Sequence, residues 1–254
     1  MKLRVLGCSG SIGGGLRTTA FLLDDDILID GGTGVGDLTL EELRRIDHVF
    51  VTHSHLDHVA CIPFLLDTVG ALRERPVTLH ASDETIATLR AHLFNWKLWP
   101  DFSVIPNASA PYMRFQPMVL GEAVRLGSRI VRSLPVCHVV PAVGYHVDSG
   151  AGSLVFTGDT GPCEALWEAV NRIGNLRHLI VETAFSNAEG ALAAASKHLT
   201  PDLLAQELSR LRVRPEIFIT HLKPVDGAST MQEVGRVAAA WAPRMLEHGQ
   251  VLEF

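Results

Sequence analysis

A strand-like apolar run that leads straight into a cluster of metal-capable side chains sets the strictest limits on this fold. The run HVFV is followed by THSHLDH, which places three histidines and one aspartate within residues 52–58. A loop at the end of a buried strand is where a rigid scaffold usually presents functional side chains. The pattern leaves two interpretations, a metal site and a solvated surface loop.

The same setting recurs at three further places, where a His or Asp stands at the end of an apolar run. His138 follows IVRSLPVC, Asp159 closes SLVFTGD and His221 follows EIFIT. Solvated loops do not repeat such a placement, so we favour the metal site. Imidazole and carboxylate together suit zinc, iron or manganese. We predict two ions that share a bridging carboxylate, with seven candidate ligands: His53, His55, Asp57, His58, His138, Asp159 and His221.

Short β-rich runs, separated by Gly or Asp turns, fill both halves of the chain. LRVLG, TAFLLD and DILIDGG are examples from the first half, and amphipathic segments such as DLTLEELRRI and PCEALWEAVNRI have the helical period. This alternation predicts an α/β protein with two packed sheets and helices outside. We expect one domain over residues 1–254, with an insertion at about residues 90–118, where Trp, Pro and Asn are concentrated.

Composition narrows the possible partners. The 254 residues are 47% hydrophobic, enough for a large core, and a net charge of −6 without Lys/Arg clusters argues against a large nucleic-acid ligand. No apolar stretch approaches the roughly 20 residues that cross a bilayer. The start MKLRVLGCSG lacks the apolar core of a secretion signal. We therefore expect a cytoplasmic protein that acts on a small molecule and does not bind a membrane.

The cysteines are scattered singly and form no C-x-x-C pair. This spacing indicates neither a disulfide framework nor a cysteine zinc knuckle. We expect four reduced, mostly buried thiols at Cys8, Cys61, Cys137 and Cys163.

Taken together, the His-x-His-x-Asp-His motif and the His, Asp and His after successive strands resemble the metallo-β-lactamase superfamily along nearly the whole chain. The resemblance implies a four-layer αββα sandwich with the metals at one edge. The ligand sets it implies are His53, His55 and His138 for one ion, Asp57, His58 and His221 for the other, and Asp159 as the bridge. Asp30 in LIDGG matches a strand-end aspartate that orients a ligand by hydrogen bonding. We expect zinc, with manganese or iron as alternatives.

Further segments resemble the class II 3′,5′-cyclic-nucleotide phosphodiesterases, among them THSHLDHVACIPFLLD, HLFNWKLWPDFSVIP, CHVVPAVGY and ITHLKP. VETAF and SKHLT are similar to the Glu and His-x-Thr elements of the branch that includes the tRNA 3′-processing nuclease. There a Glu–His pair protonates the leaving oxygen, which implies Glu182 and His198 as catalytic residues; we count Asp57 as catalytic as well. The basic, Gly/Pro-rich arm of that nuclease has no counterpart here.

Phosphodiester chemistry suits such a site, because two ions activate water and hold the phosphoryl oxygens. A ribose 3′-oxygen is a poor leaving group and needs a general acid. The leading hypothesis is hydrolysis of cAMP or cGMP to nucleoside 5′-monophosphates. Alternatives are a tRNA 3′-processing-like phosphodiesterase, a lactonase or a thioesterase, and also an iron oxidoreductase or a silent metal-binding relative. A homodimer is left open.

Two further groups of residues have a plain and a functional interpretation. For Trp96 and Trp99 we favour a hydrophobic segment docked on the core over a lid whose rings stack on a purine. For Arg17 and Lys223 we favour exposed surface charge over a phosphate clamp.

Overall fold

Two seven-stranded sheets form the centre of the fold, in a computed structural model that describes residues 1–254. The strands of the first sheet are β1 (Lys2–Gly7), β2 (Ala20–Leu23), β3 (Ile27–Ile29), β4 (His48–Phe50), β5 (Val77–Ala81), β6 (Met113–Pro117) and β14 (Val251–Glu253). Those of the second are β7 (Ala123–Leu126), β8 (Arg129–Pro135), β9 (Val143–Asp148), β10 (Ser153–Phe156), β11 (Leu176–Glu182), β12 (Glu216–Thr220) and β13 (Arg244–Met245). The helices are α1 (Leu40–Arg45), α2 (Leu56–Val59), α3 (Ile62–Val69), α4 (Asp83–His92), α5 (Glu164–Val170), α6 (Gly190–Ser196), α7 (Pro201–Leu208) and α8 (Gly227–Val237).

The two sheets share one pattern of strand directions. The first has the order β14-β1-β2-β3-β4-β5-β6, and the second has the order β7-β8-β9-β10-β11-β12-β13. In both, the first three neighbouring pairs are antiparallel and the last three are parallel. Parallel neighbours need crossover connections, which the helices supply. As a result, several strands of each sheet end at the same edge.

Alternating side chains divide the core into layers. One buried cluster lies between the sheets, and rings from both meet there: Phe21 and Phe156 are 4.9 Å apart, edge to face. A second cluster joins the outer face of the first sheet to α3 and α4, and a third joins the outer face of the second sheet to α5, α7 and α8. This arrangement is a four-layer αββα sandwich, which confirms the predicted fold class.

The helices begin where the sequence supplies side-chain caps. Thr39 accepts a hydrogen bond from the backbone N–H of Glu42, whose carboxylate accepts one from Thr39, so that α1 opens with a capping box. Thr200 caps α7 by accepting a hydrogen bond from the N–H of Leu203, and Pro201 occupies the first helical position. These local signals fix where the helices start against the sheets.

The segment 90–118 contains the last turn of α4 and the whole of β6, with turns between them. Phe94 and Phe102 are 2% and 3% exposed and belong to the cluster that joins the first sheet to α3 and α4, whereas Trp96 is 64% exposed. The segment is therefore docked on the core through its phenylalanines. None of the helices combines the length and the apolar character needed to span a bilayer.

A buried tyrosine ties the second sheet to the strand that precedes the histidine-rich loop. The Tyr145 hydroxyl is fully buried and donates a hydrogen bond of 2.7 Å to the backbone oxygen of Val51. Tyr145→Phe leaves that oxygen without this donor, so we expect the free energy of unfolding to fall by about 1–3 kcal/mol. Urea denaturation measures the change. Tyr112→Phe is the matched control, and an equal effect in both variants would contradict this role.

Candidate metal centre

One edge of the sandwich collects the polar residues that follow five of its strands. β3, β4, β8, β10 and β12 all run toward this edge, because β3 and β4 are parallel in one sheet and β8, β10 and β12 share a direction in the other. The residues delivered there are Asp30, His53, His55, His138, Asp159 and His221. The short helix α2 adds Asp57 and His58. The structure thus brings all seven candidate ligands together.

These seven residues form two groups that share one carboxylate. The first group is His53, His55, His138 and Asp159; the second is Asp57, His58, Asp159 and His221. Within each group the nitrogen and oxygen atoms that could bind a metal all lie within 4.8 Å of one another. Four side-chain donors per group match the coordination number of zinc, and imidazole with carboxylate suits iron and manganese also.

Asp159 lies between the groups and is nearly inaccessible, at 2% exposure. Its Oδ1 is 3.4 Å from His58 Nε2 and 3.3 Å from His221 Nδ1, while its Oδ2 is 3.6 Å from His53 Nε2. Burial alone would raise the pKa of Asp159, but the electrostatic interactions with the imidazoles of His221 and His58 outweigh it and hold that pKa well below its usual range. The residue therefore stays an anionic carboxylate that faces both groups.

Three buried ring nitrogens of these groups lack hydrogen-bond partners within the protein. His53 Nε2, His58 Nε2 and His221 Nδ1 are buried and form no hydrogen bond. Buried polar atoms are nearly always paired, so three unpaired nitrogens around one carboxylate fit the role of metal ligands. Burial also lowers the pKa of His53, and it lowers those of His138 and His221 to about 4. Neutral imidazole is the form that binds a metal, so His53, His138 and His221 fit divalent ions. Burial alone would lower the pKa of His58 as well, but the charges of Asp159 and Asp30 outweigh it and raise that pKa well above its usual range, so an ion bound there would take the place of a proton.

Asp30 supports the metal-facing residues from behind. It is fully buried, its Oδ2 lies 2.7 Å from His58 Nδ1, and its carboxylate accepts hydrogen bonds from the N–H and hydroxyl of Thr52. Thr52 Oγ1 lies in turn 3.0 Å from His53 Nδ1. With Nδ1 bonded to Asp30, His58 presents Nε2 toward Asp57 and Asp159. Carboxylates behind a histidine commonly orient it in this way.

Asp30→Asn tests this orientation. The amide retains an oxygen for Thr52 but turns an N–H₂ group toward His58 Nδ1, or forces the ring to turn. We expect the affinity of the second group for its ion to weaken roughly 10- to 100-fold. Competition with a chromophoric chelator measures the affinity, and Asp67→Asn on the exposed side of α3 is the control. Unchanged affinity in Asp30→Asn would rule out an orienting role.

His198 and Glu182 form a pair beside both groups. His198 Nδ1 is 2.8 Å from Glu182 Oε1, and the His198 ring lies 5.0 Å from the ring of His138 and 5.3 Å from that of His221. Glu182 is fully buried. Burial alone would lower the pKa of His198, but the charge of Glu182 and its hydrogen bond outweigh that effect and raise it. No residue of the chain bonds His198 Nε2, which is free to donate or accept.

Gly10, which no motif singled out, and Lys223, for which we favoured exposed surface charge, also lie beside this site, and Lys223 is half-buried. A Cβ atom on Gly10 would lie 2.6 Å from the backbone oxygen and 2.8 Å from the ring Cδ2 of His221, so only glycine fits there. Lys223 Nζ donates to the Gly10 oxygen at 2.9 Å and lies 5.6 Å from the centre of the Phe185 ring. Arg17, in contrast, forms a two-pronged ion pair with Asp37. The close approach of Gly10 follows from strand packing and leaves no local sequence signal.

Comparison with known proteins agrees with this geometry. A family profile described as the Beta-lactamase superfamily domain matches residues 26–222, a range that includes every residue of both groups. A probable 3′,5′-cyclic-nucleotide phosphodiesterase of Yersinia pestis is 28% identical over 208 residues, 71% of this chain and 58% of that protein. A 3′,5′-cyclic-nucleotide phosphodiesterase of Aliivibrio fischeri is 27% identical over 81% of this chain and 74% of that protein.

The comparisons also find a relative named ribonuclease Z and two solved structures with the same fold. Ribonuclease Z of Haloarcula marismortui is 30% identical over 160 residues, 58% of this chain and 47% of that protein. Among solved structures, unliganded yeast PDE1 has a TM-score of 0.83 at 18% identity, covering 100% of this chain and 99% of that one. Human tRNase Z, short form, has a TM-score of 0.72 at 18% identity, with 100% and 99% coverage. At such identities the structural likeness establishes the fold alone.

Proposed function

The chain belongs to the metallo-β-lactamase superfamily and is a metal-dependent hydrolase, and we propose that it cleaves 3′,5′-cyclic nucleotides to nucleoside 5′-monophosphates with two divalent ions. The names of the Yersinia and Aliivibrio relatives support this substrate class. This chain spans 58% of the length of the Yersinia protein and 74% of that of the Aliivibrio protein.

One observation carries the proposal: a carboxylate-held histidine stands beside two ligand groups that share a carboxylate. Hydrolysis of an unactivated phosphodiester needs a nucleophile on one side of phosphorus and a proton for the leaving oxygen on the other. The His198 ring is about equally far from His138 of the first group and His221 of the second. A proton donor in that position can serve a phosphodiester that spans both groups.

The residues of the site would divide the work as follows. One ion would be held by His53, His55 and His138, the other by Asp57, His58 and His221, and Asp159 would serve both. Ions at these positions would generate a nucleophile from water near neutral pH and neutralise the phosphoryl oxygens. Glu182 keeps the His198 ring in place through Nδ1, and His198 Nε2 hands its proton to the departing ribose 3′-oxygen. Zinc is the metal we propose, with manganese or iron as alternatives.

Cleavage of tRNA precursors at the 3′ end is the second candidate. It is supported by the 30% identity to ribonuclease Z of Haloarcula marismortui. The Glu182–His198 pair would serve that reaction equally well, because its leaving group is also a ribose 3′-oxygen. The net charge of −6 weighs against it, since RNA-binding surfaces are built from clustered Lys and Arg.

A substrate panel distinguishes these candidates. Zinc-loaded and manganese-loaded protein is assayed with cAMP, cGMP, a tRNA precursor, bis-p-nitrophenyl phosphate and a lactone. We expect a cyclic nucleotide to be hydrolysed to the 5′-monophosphate while the tRNA precursor stays intact. His92→Ala, at an exposed position on α4, is the matched control for histidine variants in the site.

Three outcomes would count against the substrate assignment. Cleavage of the tRNA precursor alone would favour the second candidate. Turnover of bis-p-nitrophenyl phosphate without any cyclic nucleotide would leave a phosphodiesterase with another substrate. Release of nucleoside 3′-monophosphate would mean that the 5′-oxygen departs, which contradicts the role given to His198.

A further inference from the structure

Two cysteines that lie far apart in the sequence meet beside the metal centre. The Sγ atoms of Cys137 and Cys163 are 2.8 Å apart, although 26 positions separate the residues. All four cysteines of the chain are free, and only Cys163 is buried, while Cys137 is exposed. The expectation of mostly buried thiols is therefore wrong, since it holds for Cys163 alone. The approach of two loops brings together two cysteines that the sequence separates.

The backbones on both sides of the pair are fixed by hydrogen bonds. The N–H of Cys137 donates to Thr160 Oγ1 at 3.0 Å, and its carbonyl oxygen accepts from Gly161 N–H at 2.8 Å. The N–H of Cys163 donates to Glu207 Oε2 at 2.8 Å, and the same oxygen accepts from Trp167 Nε1. Glu207 is itself only 4% exposed. The proximity of the sulfur atoms is thus built into the fold on both sides.

We infer that Cys137 and Cys163 form an oxidative modification site, at which a peroxide converts the two thiols into an intramolecular disulfide. Peroxide oxidises the exposed Cys137 sulfur to a sulfenic acid and is reduced to water. Cys163 Sγ then attacks the sulfenic sulfur: the S–S bond forms, the S–O bond breaks, and a second water leaves with the thiol proton. Two electrons leave the thiols and two enter the peroxide.

Little movement is needed to close this bond. A disulfide has an S–S distance of about 2.05 Å, so the sulfur atoms must approach by less than about 1 Å. The bond would join the loop that carries His138 to the residue that precedes α5, on the loop that carries Asp159. It therefore cross-links two of the segments that build the metal centre, without using a proposed metal ligand.

The test uses the full-length, zinc-loaded protein, because zinc does not change its oxidation state. After exposure to hydrogen peroxide and denaturation without reductant, we expect two of the four thiols to be lost and the mass to fall by about 2 Da. Peptide mapping should find Cys137 linked to Cys163, and dithiothreitol should restore all four thiols. The double variant Cys8→Ser/Cys61→Ser should lose both remaining thiols in the same way.

Single variants separate the two steps. In Cys163→Ser, the sulfenic acid on Cys137 has no neighbouring thiol with which to react. Labelling of Cys137 by dimedone should therefore exceed that in the wild type. We expect Cys137→Ser to fold like the wild type, because the substituted side chain is exposed, and circular dichroism checks this. No intramolecular disulfide should form in this variant. Three results would each overturn the inference. The wild type could retain all four thiols, the disulfide could involve Cys8 or Cys61, or Cys137→Ser could lose two thiols.

Discussion

Asp159→Ala is expected to abolish metal binding and hydrolysis together. The carboxylate lies within 3.6 Å of ring nitrogens from both ligand groups, so its removal takes a ligand from each proposed ion and leaves buried imidazoles without their counter-charge. Loss of the ions would remove several kcal/mol of transition-state stabilisation, about 10³-fold or more in rate. Plasma mass spectrometry of the purified protein gives the metal per chain, and the rate is measured on the same sample.

A buried position demands a check on folding. Circular dichroism and Asp159→Asn, which keeps the size of the side chain, separate loss of metal from loss of structure. Asp67→Ala, at an exposed position of α3, is the matched control and should keep both metal and rate. Wild-type metal content and rate in Asp159→Ala would show that Asp159 does not bridge the two groups.

His198→Ala is expected to leave both ions bound and yet slow cyclic-nucleotide hydrolysis by roughly 10²–10⁴-fold, the loss typical of a missing general acid. The residue belongs to neither ligand group, which is why the metal content should not change. A nitrophenolate departs with little help from a proton donor. The same variant should therefore lose far less rate on bis-p-nitrophenyl phosphate than on cAMP.

Glu182→Gln should show the same selective loss, because the amide cannot stabilise a protonated His198 as the carboxylate does. Glu182 also accepts a hydrogen bond from the N–H of Thr160, next to Asp159, so metal content must be measured in this variant too. His92→Ala provides the matched control. Equal losses on both substrates would mean that His198 binds phosphate or supports the fold, and no loss on either would remove it from the reaction.

Local patterns were sufficient to predict the fold class and to select the residues that converge. Apolar runs of period two mark the strands, and strands that run in parallel end at one edge, so a His or Asp after each run is brought to a common place. His53, His138, Asp159 and His221 illustrate this rule. Their roles as ligands stay predictions until a metal is measured.

Contacts between distant segments could not be predicted from local sequence patterns. The pairing of Lys2 in β1 with Glu253 in β14, the approach of Gly10 to His221 and the meeting of Cys137 with Cys163 all depend on how the two halves pack. No local period encodes them, because strand pairing responds to the surrounding tertiary structure. The Glu182–His198 contact could be predicted only through a family resemblance, since its members are 16 positions apart and the helix α6 lies between them.

The most direct measurement is the rate of cAMP hydrolysis while metal-free protein is titrated with zinc or manganese. The two ligand groups predict that the rate rises until two equivalents per chain are bound and then stays constant, with 5′-AMP as the product and full loss on chelation. A dinuclear cyclic-nucleotide phosphodiesterase would be contradicted by full activity at one equivalent or by activity that survives complete removal of metal. It would also be contradicted if two bound equivalents gave no hydrolysis of cAMP or cGMP.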